Sequence, residues 1–201
     1  MGGVHGANRL GGNGVADSIV FGGCAGDTMV DYVAGRKLPP VSAAQVRALS
    51  EQWTRPLARD YGDTPFGLRR ELEDLMWEKV GMVRNGPDLH VAVGALAGLW
   101  ERAGHMKVSG ALASNPGLNA TLDLVNLCEV GQMVAESALV RTESRGAHYR
   151  QDYPLTDAAW LKNIVLTPTG GALEVGFQPV VFTRLSPPEL AETVTHGNDL
   201  R

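Results

Sequence analysis

Residues 63–86 read Asp63-Thr-Pro-Phe-Gly-Leu-Arg-Arg-Glu-Leu-Glu-Asp-Leu-Met-Trp-Glu-Lys-Val-Gly-Met-Val-Arg-Asn-Gly86. Leu68, Leu72, Leu75, Met76, Val80 and Val83 recur at i, i+4, i+7 and i+8, the spacing of one core-facing helical stripe. Pro65 falls in the first turn, where its missing N–H costs nothing. Asn85-Gly86 reads as the left-handed cap that closes the helix. Pro87-Asp88 then opens another, with Leu89, Val93, Leu96 and Trp100 on one face. Asn115-Pro116 precedes the longest helical segment, about residues 117–142. Its seam of Leu124, Leu127, Cys128, Gly131, Ala135 and Ala138 is rich in small residues and permits close helix contact. Short connections make these three helices a compact antiparallel bundle, so the expected fold class is mainly α.

Upstream, Pro39-Pro40 marks a linker, and Ser42 caps a helix reaching about Arg59. Before it, Asn13 is the expected N-cap of a helix running to about Val33. That helix carries Gly22, Gly23 and Gly26, each costing roughly 1 kcal/mol relative to Ala, and reads as a buried helix closely approached by another backbone. Downstream, residues 143–154 are polar, charged and aromatic without periodicity. Ile164-Val165-Leu166 and Leu173-Glu-Val-Gly-Phe177, separated by Thr-Pro-Thr-Gly-Gly, read as a β-hairpin. The residues after Pro187-Pro188 are expected to be loosely held.

The 201 residues carry 18 Lys and Arg against 22 Asp and Glu, a net charge of −4 without a basic run. That balance argues against nucleic acid or an anionic membrane as the main partner. No apolar stretch reaches transmembrane length, and the N-terminus lacks the pattern of a signal peptide. Cys24 and Cys128 lie within helical patterns and read as buried free thiols in a reducing cytoplasm; no zinc or iron–sulfur ligand set is recognisable. Trp53, Trp77, Trp100 and Trp160 read as packing anchors.

Two stretches carry candidate chemistry. The first is His5-Gly-Ala-Asn-Arg-Leu-Gly-Gly-Asn-Gly14, a glycine-rich loop running into a helix. Such a start offers backbone N–H groups and a positive dipole end to an anion. It is neither a nucleotide-hydrolase phosphate loop nor a dinucleotide fingerprint, because no Lys-Ser/Thr follows and no strand precedes. The pattern alone admits a flexible glycine-rich end as readily. Arg9 is the sharper residue: a guanidinium beside a positive helix end is unfavourable unless an anion is shared between them. His5 reads alone as a hydrogen-bonded structural histidine. The second stretch holds Glu143, Arg145, His148 and Arg150, for which a salt-bridged, stitching loop is favoured over an active-site Arg/His pair.

Three ordered segments also resemble a known family. His5–Gly14 resembles the last flavin-binding motif of the succinate dehydrogenase/fumarate reductase flavoproteins, shared by L-aspartate oxidase. Arg141-Thr-Glu-Ser-Arg-Gly-Ala-His-Tyr-Arg-Gln-Asp-Tyr-Pro154 is similar to that family's C-terminal signature, and Leu72–Arg84 to its helix-bundle segment. The paired Gly11-Gly12 leans towards the succinate/fumarate branch, with an L-aspartate-oxidase-like enzyme as the alternative. The resemblance implies a flavin-motif helix, then an antiparallel bundle with a short C-terminal β-hairpin. It implies residues 1–38 as part of the FAD-binding domain, and 39–201 as the helical domain with its hairpin from about 162.

The resemblance further implies that Arg9 binds a carboxylate of succinate or fumarate and is catalytic, with His5 as a second substrate contact. It implies that Asn8, Arg9, Gly12, Asn13, Gly14 and Val15 contact FAD, with the Gly14 and Val15 amides at the flavin's pyrimidine edge. Relatives usually carry Ser where Gly14 stands, a change that keeps the backbone contact. No metal site is implied. The ADP-binding unit and the remaining catalytic residues of that family lie upstream of this motif, so the chain is expected to be the last third of such a flavoprotein. Alone it is expected to bind flavin weakly or not at all and to be inactive. An iron–sulfur subunit is the implied partner in electron transport. The implied location is the cytoplasm, at the inner face of the membrane through partner subunits and without direct insertion. The competing reading is a non-catalytic helical module that docks on a flavin domain or an iron–sulfur subunit.

Overall fold

The structure, a computed structural model, describes His5, Arg9, residues 11–170 and residues 172–181. The chain divides into two units, Met1–Arg55 and Pro56–Arg201.

The first unit contains α1 (Asn13–Val33) and α2 (Ala43–Thr54). Gly12, not Asn13, is the N-cap of α1, at φ 84°. That left-handed backbone suits glycine, and Asn13 becomes the first helical residue instead. Ser42 does cap α2, its hydroxyl accepting from the Gln45 amide at 3.3 Å. The expected burial of α1 is not found: none of its residues is buried. A Cβ added at Gly22, Gly23 or Gly26 would meet nothing within 4 Å. No other backbone among the described residues supplies the close approach that would favour those glycines. Cys24 is accordingly exposed, whereas Cys128 is buried as expected. Ile19 and Val20 lie 70% and 57% exposed, giving α1 an open apolar surface.

The second unit begins within a 3₁₀ turn (Arg55–Ala58), which ends the second helix earlier than expected. It continues with α3 (Pro65–Val80), β1 (Val83–Arg84), α4 (Gly86–Ala103), α5 (Pro116–Val140), β2 (Tyr149–Arg150), β3 (Lys162–Thr169) and β4 (Ala172–Pro179). Helices α3, α4 and α5 pack pairwise into the antiparallel bundle. Its core joins Leu68 and Leu72 of α3, Leu89, Ala92 and Leu96 of α4, and Leu124, Cys128, Ala135 and Ala138 of α5. Gly131 lets the helices approach closely: a Cβ there would stand 3.3 Å from Leu96 Cδ2 and 3.4 Å from Met76 Sδ.

Side-chain caps start each bundle helix. Thr64 accepts from Gly67 N at 3.2 Å, Asn85 from Asp88 N at 2.9 Å, and Asn115 from Leu118 N at 3.1 Å. Asn85 thus opens α4 instead of closing α3, which stops at Val80 with Gly81 as its cap. Val83 leaves the helical stripe for β1 and is exposed. Trp100 and Leu127 also face outward, as do Trp53 and Trp77, so only Trp160 of the four tryptophans is partly buried. Leu89 and Leu96 are buried on α4 as expected, but Leu99 replaces Trp100 on that face. β1 pairs with β2 in parallel, and β3 with β4 in antiparallel register from Lys162↔Pro179 to Thr169↔Ala172. The hairpin therefore continues through Thr167-Pro168-Thr169, residues expected from sequence to lie in the turn. The tail after Pro187-Pro188 lies outside the described residues.

Candidate functional site

The start of α1 gathers the first candidate set. No side chain caps Gly12. The Val15 and Ala16 amides both donate to the Gly12 carbonyl, at 3.0 and 3.2 Å. Among the described residues, the Asn13 and Gly14 amides meet no acceptor. These two N–H groups lie at the positive end of a 21-residue helix. Arg9 folds over this turn. A Cβ built on Gly14 would stand 3.1 Å from Arg9 Nη1 and 3.4 Å from its Cζ, so the guanidinium lies directly against the Gly14 backbone. His5 reaches further along the helix, where its Nε2 pairs with the Asp17 carboxylate. Its Nδ1 is enclosed and has no hydrogen-bond partner among the described residues. Arg9, Gly12, Asn13, Gly14 and Val15 therefore cluster at one helix end, with His5 beside Asp17; Asn8 lies outside the described residues. Asp17 was not singled out from the sequence, although its place within the first turns of a capped helix is a usable signal.

The second set forms a hydrogen-bonded junction within the second unit. Glu143 is fully buried. Its carboxylate accepts from Arg141 Nη1 at 2.6 Å, Arg145 Nε at 2.8 Å and the Asp157 amide at 2.8 Å. Burial pushes the Glu143 carboxyl upward, but Arg145, the Asp157 amide and Arg141 outweigh it and hold the group below its usual range. Arg150, 2% exposed, donates through Nη1 to the carbonyls of Ala138 and Leu139 at 2.8 and 3.0 Å, closing the end of α5. Its Nε and Nη2 form a fork on Asp152, at 2.8 and 2.7 Å. Asp152 Oδ2 also accepts from Gly86 N at 2.9 Å, at the start of α4. The Arg150 fork is the leading cause that draws the Asp152 carboxyl down to about 2. His148 lies between Arg84 Nη1, at 2.9 Å from Nδ1, and the Arg141 carbonyl, at 3.2 Å from Nε2. Arg84, Arg141 and Asp152 were not singled out from the sequence. Arg84 and His148 are 64 residues apart, and no local pattern links them.

A three-helix bundle locked by a buried Arg/Glu junction and followed by a β-hairpin defines a helical C-terminal domain of the flavoprotein reductase type. The chain belongs to the fumarate reductase flavoprotein C-terminal family, whose model matches residues 69–193. It is 39% identical over 168 residues to a subunit of the fumarate reductase (CoM/CoB) of Methanothermobacter marburgensis, covering 82% of this chain and 30% of that protein. It is 34% identical over 196 residues to the fumarate reductase flavoprotein subunit of Mycobacterium tuberculosis, covering 92% of this chain and 34% of that one. Among solved structures, Mycobacterium smegmatis Sdh1 in complex with UQ1 superposes with a TM-score of 0.83 at 35% identity, covering 92% of this chain and 32% of that chain. The chain thus spans about a third of the length of these relatives.

Proposed function

We propose that the start of α1 and the loop before it form one side of a flavin and dicarboxylate site. The surrounding protein would be a flavoprotein that oxidises succinate or reduces fumarate. The observation that carries this reading is the Arg9 guanidinium lying over Gly14, beside two helix-start amides without an acceptor among the described residues. A guanidinium and the positive end of a helix set this close together both favour a bound anion. Arg9 presents a fork that can take a carboxylate through two parallel hydrogen bonds, fixing the substrate's orientation.

The donor set fits a flavin. Asn13 and Gly14 can offer amides to a pyrimidine edge, whereas the Val15 amide is already shared with Gly12. Bound there, FAD would supply two-electron redox chemistry, and the helix end would favour the negative charge that reduction brings to that edge. His5 pairs through Nε2 with the Asp17 carboxylate. With Nε2 committed to Asp17, it could donate to a carboxylate only by taking a second proton on Nδ1. In this reading residues 1–38 belong with the flavin-binding part and 39–201 form the helical domain. The iron–sulfur partner and the place at the inner face of a membrane follow from the family and belong to the same proposal. No helix among the described residues is long and apolar enough to cross a membrane.

The exposed apolar surface of α1, including Val15, Ile19, Val20, Met29 and Val30, favours a second reading, that of a docking module without chemistry. One experiment separates the two. In a flavin-bearing protein that contains this chain, Arg9→Lys keeps the charge but loses the fork, and is expected to cost about 100-fold or more in turnover while flavin is retained. Near-normal turnover with flavin retained removes Arg9 from the site and leaves the docking module. The 201-residue chain purified alone is expected to be colourless; stoichiometric yellow colour would refute that part.

A further inference from the structure

Three helix ends meet around His148. Arg84 Nε donates to the carbonyls of Val80 and Gly81 at 3.1 and 2.8 Å, at the end of α3. Arg150 closes α5, and Asp152 holds the first amide of α4. His148 ties the first of these to the second. Its Nδ1 must accept, because Arg84 Nη1 can only donate; its Nε2 must donate, because the Arg141 carbonyl can only accept. Only the neutral imidazole protonated at Nε2 satisfies both.

The groups facing the ring leave no acceptor for a further proton. Arg84 comes from β1, Arg150 from β2, and Arg141 from the end of α5. Glu143 is already engaged by Arg141 and Arg145, and Asp152 by Arg150 and Gly86. A proton on Nδ1 would set N–H against N–H and place a fourth cation among Arg84, Arg141 and Arg150. The segment that carries His148 is fixed at Arg145 by Glu143 and at Arg150 by Asp152 and the α5 carbonyls; its link to β1 is lighter, resting on the Arg84–His148 bond and on Gln151 N donating to Arg84 O at 2.8 Å.

We propose that His148 is an acid-released latch: neutral, it fastens β2 to β1 and to the end of α5, and protonated, it lets go of Arg84 and loosens the β1–β2 pairing, while Arg145 and Arg150 keep their own partners. Burial first, and then the neighbouring arginines, hold the imidazole below its ordinary value of 6.5. The fastening is therefore complete above that ordinary value and is lost as pH falls through the lowered one.

Hydrogen exchange on the full chain tests the latch, read as the protection factor of the Gln151 amide, which corrects for the intrinsic pH dependence of exchange. Between about pH 7.5 and pH 5.5, protection at Gln151 is expected to fall severalfold, and by no more than about tenfold, in the unmodified protein. In His148→Gln, whose amide can donate to the Arg141 carbonyl without titrating, protection is expected to stay within about twofold. Nitrogen-15 spectra of the His148 ring in the unmodified chain need no variant, and are expected to show the Nε2–H tautomer at neutral pH with titration below the ordinary histidine value. The Nδ1–H tautomer, titration at or above that value, a flat protection factor, or an equal fall in His148→Gln would each overturn the proposal.

Discussion

Replacing Arg150 with Met keeps the bulk of a long side chain and removes all its donors, so the loss reports the junction rather than a cavity. In the native protein this 2% exposed guanidinium satisfies the Ala138 and Leu139 carbonyls and forms a fork on Asp152. The thioether would leave those carbonyls without donors in a dry environment and Asp152 without its counter-charge. Breaking a buried pair by removing one partner costs about 3–5 kcal/mol. The lower half of that range applies, because the Asp152 side chain is 34% exposed and keeps part of its hydration, as well as the Gly86 amide. A loss of about 3 kcal/mol is expected, in line with a few unmade charge-assisted bonds. In urea, with a slope of about 2 kcal/mol per molar, the midpoint followed by circular dichroism should drop by about 1.5 M at unchanged slope. Arg150→Lys keeps the charge but cannot serve the carbonyls and the Asp152 fork together, and should fall between the two. A loss below about 1 kcal/mol in Arg150→Met would refute the assignment of Arg150 as the joint between α5 and α4.

Two further perturbations probe the same unit. Leu96, fully buried among α3, α4 and α5 and in contact with the open face of Gly131, should cost about 3–4 kcal/mol as Leu96→Ala in the same urea assay. Asp152 is held at about 2 in the fold against its ordinary 3.8, so its contribution is present above the ordinary value and drains away as pH falls towards the lowered one. In thermal unfolding, Asp152→Asn should therefore be less stable than the parent at neutral pH and lose less on acidification through that range. Parallel pH profiles for the two proteins would show that the carboxylate does not titrate in this window.

Much of the helical order is legible because it depends on neighbours in sequence. Ser42, the Thr64-Pro65 start and Asn115-Pro116 each mark a helix entry, because a side-chain acceptor or a proline satisfies local backbone needs wherever the helix later packs. Asn85-Gly86 misleads since the same pair suits a helix exit; its proximity to Asp88, whose amide it holds, decides for an entry. The α4 stripe misreads only at its end, because Leu99 and Trp100 are adjacent apolar candidates and packing against α3 and α5 selects between them.

By itself, the sequence determined the mainly α fold, the hairpin, and the glycine-rich loop feeding a helix, all of which follow from periodicity and local backbone chemistry. It also drew attention to Arg9 and to the charged run from Glu143 to Arg150. The tertiary structure alone decided what those charges do. Arg9 lies over the Gly14 backbone, and His5 turns to Asp17. Arg150 joins α5 to α4 through Asp152, and His148 meets an arginine 64 residues away. The physical reason is common to all of these. A helix start is a property of a few consecutive residues, whereas a buried charge takes its partner from whichever chain segment the packed bundle brings within about 3 Å.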